Sequence, residues 1–481
     1  MMVQFDKNAL PVAIIGGGPV GLAAAAHLLK KGEKFIVLEA GDSVGSNMLE
    51  WGQVRMFSPW QYNIDKAAKE LLEKTGWTSP DEEALPTGRE LVEEYLLPLS
   101  NLPEIKEQIM LQAKVVGVAK KAHDKLKTGK RDTVPFQLYV EVNGDTQVIE
   151  AKAVIDSSGT WGNPNPMLSN GIWTNAERKL HNQIHYGIPN VEQLENRYQN
   201  KSTVVIGSGH SAINSLLDLA ALQQKFTDTK IYWVLRKKQI HEVYGGQQND
   251  GLAARGELGI RIQQLVESGR INILTPFHIN GVYPTNGQIT VVGELDGEEF
   301  TLGDIDEIVV STGFRPDTSF LNEVRINLDS AVESIEALAP LIDPNIHSCG
   351  TVRPHGEQEL RHPEKNFYIV GMKSYGRAPT FLLATGYEQV RSVVAYLTGD
   401  VEEAKEVHLE LPETGVCSVN LTSSSCDSDT PATEMKDGSC CGNPVPVRLE
   451  IKKIPVVNKI EDQSEVRLVF LHYTFYFEMH Y

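Results

Sequence analysis

The feature that most constrains the fold is a glycine-rich turn near the start of the chain. Gly16, Gly18 and Gly21 have the spacing G-x-G-x-x-G, and they stand between a short apolar run and an alanine-rich helical stretch. In such a turn one glycine permits the tight bend, one lets the backbone approach a pyrophosphate, and one lets helix pack on strand. The spacing therefore predicts a dinucleotide site, with Pro19 and Val20 among its contacts.

The same arrangement returns in the middle of the chain. Gly207 and Gly209 stand in a second turn, which follows an apolar run at 203–206 and precedes a helical stretch. His210 is a candidate contact to the cofactor, with a surface histidine in a turn as the equal alternative. Ser211 is a candidate for the same site, although its residue type also suits a helix cap. We therefore expect two dinucleotide folds.

The residues that end the second strand of each unit indicate which dinucleotide binds. Glu39 ends the first, where its carboxylate can accept hydrogen bonds from ribose hydroxyls and would repel a 2′-phosphate. This residue, with its N-terminal position, favours FAD at the first turn. Arg236 and Lys237 end the second and supply cations for a 2′-phosphate, so NADPH is the expected ligand there. A solvated basic cluster is the alternative.

The order of these segments predicts an α/β fold with two dinucleotide-binding, Rossmann-like domains. We expect a split FAD-binding domain over residues 1–170 and 305–400, with the NADPH-binding domain of residues 171–304 inserted in it. Residues 401–481 are expected to form a partly disordered tail, because the middle of this segment is rich in Ser, Thr and Asp.

Charge and hydropathy exclude several classes of partner. The formal net charge of −18, from 45 basic and 63 acidic residues, disfavours nucleic acid. No apolar stretch of about 18 residues occurs, so no membrane span is expected. The start of the chain lacks the pattern of an export signal, and we expect a cytoplasmic enzyme. The sequence is compatible with a homodimer.

The cysteines constrain the chemistry. All five of them follow residue 348, so the predicted domains lack the C-x-x-C or similar pair that a disulfide reductase places beside its flavin. Electrons reaching the flavin are then expected to pass to dioxygen or directly to another acceptor. The four tail cysteines have irregular spacing, so we predict no metal site, with a soft thiophilic ion as the alternative.

The whole order of motifs resembles that of flavin-containing monooxygenases and their relatives over about residues 12 to 400. The resemblance rests on the two glycine turns, on the segments ending at Gly159 and at Thr312-Gly313, and on the late strand ending at Gly371. It implies that the segments ending at Gly159 and at Thr312-Gly313 are crossovers between domains and border the cofactors. It also implies that the strand ending at Gly371 closes the flavin pocket. Some related flavoproteins are linked with arsenic resistance.

The resemblance implies an NADPH-dependent flavin monooxygenase that transfers one oxygen atom of O2 to a small substrate with a soft sulfur, nitrogen or arsenic centre. Because the flavin carries the difficult chemistry, few acid–base residues are expected. Trp60, Gln61 and Asn63 are the candidate catalytic residues beside the flavin, with ordinary loop packing as the alternative. The monooxygenase fingerprint before the second turn is matched at His185 alone. A non-oxygenating reductase with a quinone, metal or protein acceptor is the alternative function.

Overall fold

The computed structural model describes residues 10–250, 252–346, 355–379 and 381–409. Its strands are β1 Val12–Ile15, β2 Phe35–Leu38, β3 Ile109–Met110, β4 Ala113–Lys120, β5 Phe136–Val142, β6 Asp145–Ala151, β7 Ala153–Asp156, β8 Ile184–Tyr186, β9 Ser202–Ile206, β10 Lys230–Val234, β11 Asn272–Leu274, β12 Phe277–Thr285, β13 Gln288–Leu295, β14 Glu298–Ile305, β15 Glu307–Val310 and β16 Phe367–Ile369. Its helices are α1 Pro19–Lys30, α2 Ser46–Leu49, α3 Lys66–Glu73, α4 Gly88–Leu91, α5 Leu97–Ser100, α6 Pro103–Lys106, α7 Asn175–Lys179, α8 Glu195–Tyr198, α9 His210–Lys225, α10 Ala253–Glu267, α11 Ala339–Ile342, α12 Leu383–Leu397 and α13 Val401–Lys405.

The first sheet is parallel and has the strand order β16-β7-β1-β2-β3. Every residue of its central strand β1 is buried, as expected for a parallel strand covered on both faces. Helix α1 packs in the same hydrophobic core, and its run Leu22–Ala26 is completely buried. The glycine turn between β1 and α1 therefore lies at the carboxyl edge of a well-packed sheet.

The second sheet is also parallel and has the order β11-β10-β9-β15-β8. Helix α9 covers β9, and Leu216 and Leu219 belong to its core together with Trp233 of β10. Two parallel sheets, each with a glycine turn after a central strand, confirm the predicted α/β fold of two Rossmann-like units.

The sheet pairing corrects one predicted boundary. The sequence predicts that the chain returns to the first unit at residue 305, but β15 pairs with β8 and β9 of the second sheet. The strand begins directly after β14, so residue 305 joins two strands on the side of the second unit. The return to the first sheet follows Val310, and the remaining domain limits stay predictions.

Two antiparallel three-stranded sheets accompany the parallel ones, with the orders β4-β5-β6 and β12-β13-β14. Tight turns join their strands at Asn143-Gly144, Asn286-Gly287 and Asp296-Gly297. Both residues of each turn have positive φ values, between 51° and 87°. These are the conformations of two-residue hairpin loops, for which Asn-Gly and Asp-Gly are the preferred pairs.

The two crossovers between the parallel sheets run side by side. The outgoing segment leaves β7 and the returning segment leaves β15. Asn165 N–H donates to the Gly313 carbonyl at 2.9 Å, and Arg315 N–H donates to the Asn163 carbonyl at 3.0 Å. The crossovers thus form one hydrogen-bonded junction beside the carboxyl ends of both sheets.

All residues that the structure describes belong to one compact unit. Most of the predicted tail, from residue 410 onward, lies outside the described residues. Among the helices that the structure describes, none is long and apolar enough to cross a membrane.

Candidate cofactor-binding site

The carboxyl ends of the first sheet open into a cavity of about 330 Å³, here called the first cleft. Seven of the predicted cofactor-binding residues line it: Gly16, Gly18, Pro19, Val20, Glu39, Gly159 and Gly371. They come from four separate segments of the chain, and the fold of the first sheet brings them together. This convergence is the geometry expected of a ligand site in an open α/β sheet.

The backbone geometry gives a different reason for glycine at each of the three positions of the first turn. Gly16 has φ of +100°, a conformation that side chains rarely adopt. A Cβ atom on Gly21 would overlap the Gly16 carbonyl and lie 2.7 Å from Ser157 Oγ, so the glycine lets α1 approach the strand ends. Gly18 faces open space and is the N-cap of α1. The first turn of α1 thus presents backbone N–H groups to the cleft, as a pyrophosphate requires.

Glu39 is a fixed carboxylate at the edge of the first cleft. Its Oε2 accepts from Gly17 N–H at 2.6 Å, while its Oε1 accepts from Gly41 N–H at 2.7 Å and from Ser46 Oγ at 3.0 Å. The side chain is 9% exposed. These bonds stabilise the glycine turn and hold the carboxylate in the cleft wall. A carboxylate at this position suits the hydroxyls of a ribose and would repel a 2′-phosphate.

Aromatic and thioether side chains form much of the remaining wall, and the prediction of site residues missed them. They are Met48, Trp51, Met56, Phe57, Trp161 and Met372. The Trp161 ring stacks on Phe314 with centroids 4.5 Å apart, and its Nε1 donates to Glu50 at 2.6 Å. Its position two residues after the Ser-Gly turn at Gly159 was the available signal. A flat aromatic ligand fits such a wall.

The three candidate catalytic residues do not line the first cleft. Gln61 is exposed and donates to Glu83. Trp60 is buried in the core of the first sheet. Asn63 Nδ2 donates to the carbonyls of Ser58 and Pro59, and its Oδ1 accepts from Ser58 Oγ. Because this side-chain amide is satisfied inside its own loop, the loop-packing alternative describes Asn63 better than a catalytic role.

The second turn repeats the geometry of the first. Gly207 has φ of +137°, and a Cβ atom there would overlap the Ser311 carbonyl. Gly209 faces open space and is the N-cap of α9, while Ala212 is completely buried. Because α9 begins at His210, Ser211 lies within its first turn and is not the N-cap. The backbone N–H groups of that turn are suited to a second dinucleotide.

His210 links the second turn to the first cleft. Its ring contacts the Phe57 ring, with centroids 5.2 Å apart. Burial and, second, the charge of Arg255 lower the pKa of His210 to about 4. At pH 7 this imidazole is neutral, so it contributes no positive charge to phosphate binding. Arg255 forms two 2.7 Å bonds with Asp250, which fixes the loop next to Phe57.

The basic residues after β10 differ in availability. Arg236 is exposed, and its one described hydrogen bond is a long contact of 3.4 Å from Nη1 to the Ser169 carbonyl. Lys237 Nζ donates to the Glu242 carbonyl at 2.7 Å. Arg236 is therefore the better placed of the two to meet a 2′-phosphate.

The crossover residues Thr312 and Gly313 stand outside the wall of the first cleft. Thr312 Oγ1 donates to the Asn165 carbonyl at 3.2 Å, and Gly313 has φ of +86°. Their described contacts join the two crossovers, so binding of a cofactor by these two residues stays a prediction. Among the described residues, no group of three or more His, Cys, Asp or Glu side chains could hold a metal ion.

Sequence comparison relates the chain to flavin-dependent reductases. The family model for pyridine nucleotide-disulphide oxidoreductases matches residues 13–348. A ferredoxin–NADP reductase of Lactobacillus johnsonii is 26% identical over 341 residues, which are 70% of this chain and 85% of the relative. A ferredoxin–NADP reductase of Streptococcus gordonii is 22% identical over 342 residues, with 70% and 84% covered.

Solved structures show the same fold. The bacillithiol disulfide reductase Bdr (YpdA) of Bacillus cereus superposes with a TM-score of 0.58 at 19% identity, covering 81% of this chain and 99% of the other. DfoA, the FAD-bound cadaverine monooxygenase of Erwinia amylovora, has a TM-score of 0.58 at 12% identity, covering 84% and 99%. One fold thus serves a disulfide reductase and a monooxygenase.

Proposed function

Because the chain belongs to the pyridine nucleotide-disulphide oxidoreductase family, we propose that it passes electrons from NADPH through FAD to an acceptor that meets the flavin directly. The enzyme is an NAD(P)-dependent flavoprotein oxidoreductase that uses FAD and NADPH. When bound, FAD accepts hydride from the nicotinamide and supplies the redox chemistry. The protein binds, orients and shields the two cofactors.

The residues of the first cleft fit FAD. The open Gly18 at the start of α1 can receive the pyrophosphate, and Glu39 can receive the adenosine ribose. The aromatic and thioether wall, which includes Trp51 and Trp161, matches the flat apolar ring system.

The second turn fits NADPH in the same way. Gly209 leaves room for a pyrophosphate at the start of α9, and Arg236 is exposed beyond the next strand for the 2′-phosphate. The contact of His210 with Phe57, which lines the first cleft, brings the second turn next to the flavin site. This proximity supports direct hydride transfer between the cofactors.

The observation that carries the proposal is that residues 1–348 of the sequence contain no cysteine. A disulfide reductase of this fold needs a cysteine pair against its flavin, whereas the segments that supply the described wall of the first cleft, within residues 16–161 and 371–383, have no cysteine in their sequence. The five cysteines of the sequence all lie outside the described residues. This distribution of cysteines favours an acceptor that is a separate molecule, and the ferredoxin–NADP reductases among the relatives favour a non-oxygenating electron transfer.

Monooxygenation is the second candidate, and the apolar wall of the first cleft favours it. Met48, Met56 and Phe57 give the site an apolar wall, which disfavours water near the place proposed for the flavin. In this case the acceptor is O2, and one oxygen atom goes to a small soft nucleophile while the other leaves as water.

A comparison of NADPH oxidation with and without O2 tests the two candidates. The FAD-loaded protein is given NADPH under argon with a quinone, ferric chelate or ferredoxin, and in air with sulfides, amines or arsenicals. Rapid anaerobic oxidation of NADPH that depends on the added acceptor supports the reductase. An oxygenated product formed stoichiometrically with NADPH in air supports the monooxygenase. Failure of NADPH to reduce the bound FAD contradicts both.

A further inference from the structure

A completely buried ion pair lies behind the wall of the first cleft. Lys373 Nζ and Asp156 Oδ2 are 2.7 Å apart, and both side chains are 0% exposed. The same ammonium donates to Ser158 Oγ at 3.0 Å and lies 4.4 Å from the centre of the Phe320 ring. Lys373 therefore contacts the outgoing crossover and the segment after the returning one.

The fold explains why these residues meet. Asp156 is the last residue of β7, and Lys373 follows β16, the parallel neighbour of β7 in the first sheet. The two charges thus stand at adjacent carboxyl ends. Ser158 and Gly371, which come two residues after Asp156 and two before Lys373, both line the first cleft. The ion pair connects two parts of the cleft wall from behind.

Hydrogen bonds carry this connection to the backbone. Asp156 Oδ1 accepts from Ser158 N–H at 3.1 Å and from Ser158 Oγ at 2.7 Å. The Ser158 hydroxyl therefore donates to the carboxylate and accepts from Lys373. The carboxylate of Asp156 and the hydroxyl of Ser158 together determine where the backbone of the turn before Gly159 lies.

Stability alone does not account for the pair. Removing two charges from water is costly, and well-packed apolar residues at such a site are often equally stable or more stable. A buried pair of this kind instead favours one particular arrangement of the segments that it joins. Here those segments are the 157–159 turn and the 371–375 turn, on either side of the place proposed for FAD.

We propose that Lys373 is a positioning residue for FAD, which holds the two cleft-lining turns at the separation that the cofactor requires. It acts through Asp156 and Ser158 and not by direct contact. The inference rests on the proposed function in one respect, namely that the first cleft binds FAD.

Two variants separate this role from folding. Lys373→Met alone leaves the Asp156 carboxylate buried without its counter-charge, so it is expected to lower the melting temperature as well as FAD affinity. The double variant Asp156→Asn/Lys373→Met removes both charges and keeps the side-chain volumes similar. We expect it to fold, yet to bind FAD at least about tenfold more weakly, because the link between the two turns is lost.

The chain offers a matched control in the pair Arg131–Glu364. Its atoms are also 2.7 Å apart, with side chains 2% and 1% exposed. Glu364 precedes β16, so this pair lies toward the amino end of the strand, away from the first cleft. The variant Arg131→Met/Glu364→Gln should perturb stability comparably and leave FAD affinity within about twofold.

The experiment titrates FAD into the flavin-stripped full-length proteins and follows flavin fluorescence, with visible circular dichroism of the saturated complexes. The expected result is a tenfold loss of affinity and a changed flavin dichroism in the Asp156→Asn/Lys373→Met protein, with the control like wild type. Wild-type affinity and dichroism in that protein would overturn the inference and leave the proposed function intact. If wild type itself does not bind FAD, the proposed function fails first.

Discussion

Gly21 is the residue of the first turn at which a side chain is least tolerable. A Cβ atom there would meet the Gly16 carbonyl, which is backbone and cannot turn aside. We predict that Gly21→Ala displaces α1 and weakens FAD binding by about 10- to 100-fold, the equivalent of 1–3 kcal/mol of overpacking. The bound FAD of the purified protein, released and quantified by absorbance, measures this.

Gly129→Ala is the control for that substitution. A Cβ atom at Gly129 meets nothing within 4 Å, and its φ is not in the left-handed region. FAD content should stay at the wild-type level. Full FAD occupancy in the Gly21→Ala protein would show that the close approach of α1 to the strand is not needed for binding.

Arg236 is expected to set the preference for NADPH over NADH. Removal of a cation that binds the 2′-phosphate should raise KM for NADPH by about 10- to 100-fold in Arg236→Ala and leave KM for NADH nearly unchanged. Lys237→Ala should have a smaller effect, because Lys237 already donates to the Glu242 carbonyl. Steady-state kinetics with both nucleotides test this. An equal rise in both KM values would contradict the assignment.

His362 makes stability depend on pH. Burial lowers the pKa of His362 to about 4, whereas an unfolded histidine titrates near 6.5. The unfolded chain therefore binds a proton that the folded chain does not between these values, and stability is lost as pH falls from about 6.5 to 4. The loss amounts to up to about 3 kcal/mol.

His362→Asn isolates this contribution. The histidine Nδ1 accepts from Asn327 N–H at 3.2 Å, and an asparagine Oδ1 can accept in its place without titrating. Melting temperatures of both proteins between pH 8 and pH 4 should converge or cross as pH falls, because the variant does not lose stability through protonation of residue 362. Parallel curves would exclude His362 as the source.

Residue types predicted the backbone of the cofactor site better than its walls. The strand–turn–helix pattern of the sequence locates the glycine turns, and it also locates Glu39 and Arg236 at the ends of the following strands. Trp161 and Met372 reach the first cleft because separate segments converge, and the only local signal for them is their closeness in sequence to Gly159 and Gly371. Asn63 was predicted to be catalytic on polarity alone, and its amide is satisfied within its own loop.

Among the structural elements, the parallel strands were predictable and the antiparallel sheet of β12, β13 and β14 was only partly so. Short apolar runs marked β12 and β13, but β14 carries Glu298 and Glu299, so hydropathy does not reveal it. The Asp296-Gly297 pair before it was a hairpin signal. Because β15 follows β14 directly, recognising β14 from this hairpin signal places the domain boundary after β15.

The loop between β4 and β5, residues 121–135, is held in place by one arginine. Arg325 orders it by donating to the Lys125 carbonyl at 2.8 Å, the Lys127 carbonyl at 3.1 Å and Thr128 Oγ1 at 3.0 Å. We predict that Arg325→Ala speeds tryptic cleavage within residues 121–135 roughly tenfold, because opening the loop becomes cheaper. Mass spectrometry of timed digests locates the cuts.

Lys365→Ala is the control for the loop, since its ion pair with Asp132 is largely exposed. Exposed pairs contribute little, so digestion should follow the wild-type time course. The loop lies outside the first cleft, and NADPH oxidation by both variants should match wild type. Unchanged digestion of Arg325→Ala would show that the remaining contacts suffice to order the loop.

For the molecule as a whole, the net charge has the same sign as the charge of the expected ligands. Because a chain of net charge −18 repels anionic dinucleotides over most of its surface, we expect local groups to bind them, namely the first turns of α1 and α9 and the exposed Arg236. The side-by-side crossovers, and the contact of His210 with Phe57, place these two sites next to each other. This arrangement supports a single electron path from NADPH to FAD.

The most direct test of that path is an anaerobic titration of the FAD-loaded protein with NADPH, followed by the flavin absorbance and a thiol assay. We predict complete reduction of the flavin after one NADPH per FAD, which is two electrons, with no change in the number of thiols. Uptake of two NADPH per FAD, with two new thiols, would reveal a redox-active disulfide and contradict direct transfer from FAD to a separate acceptor.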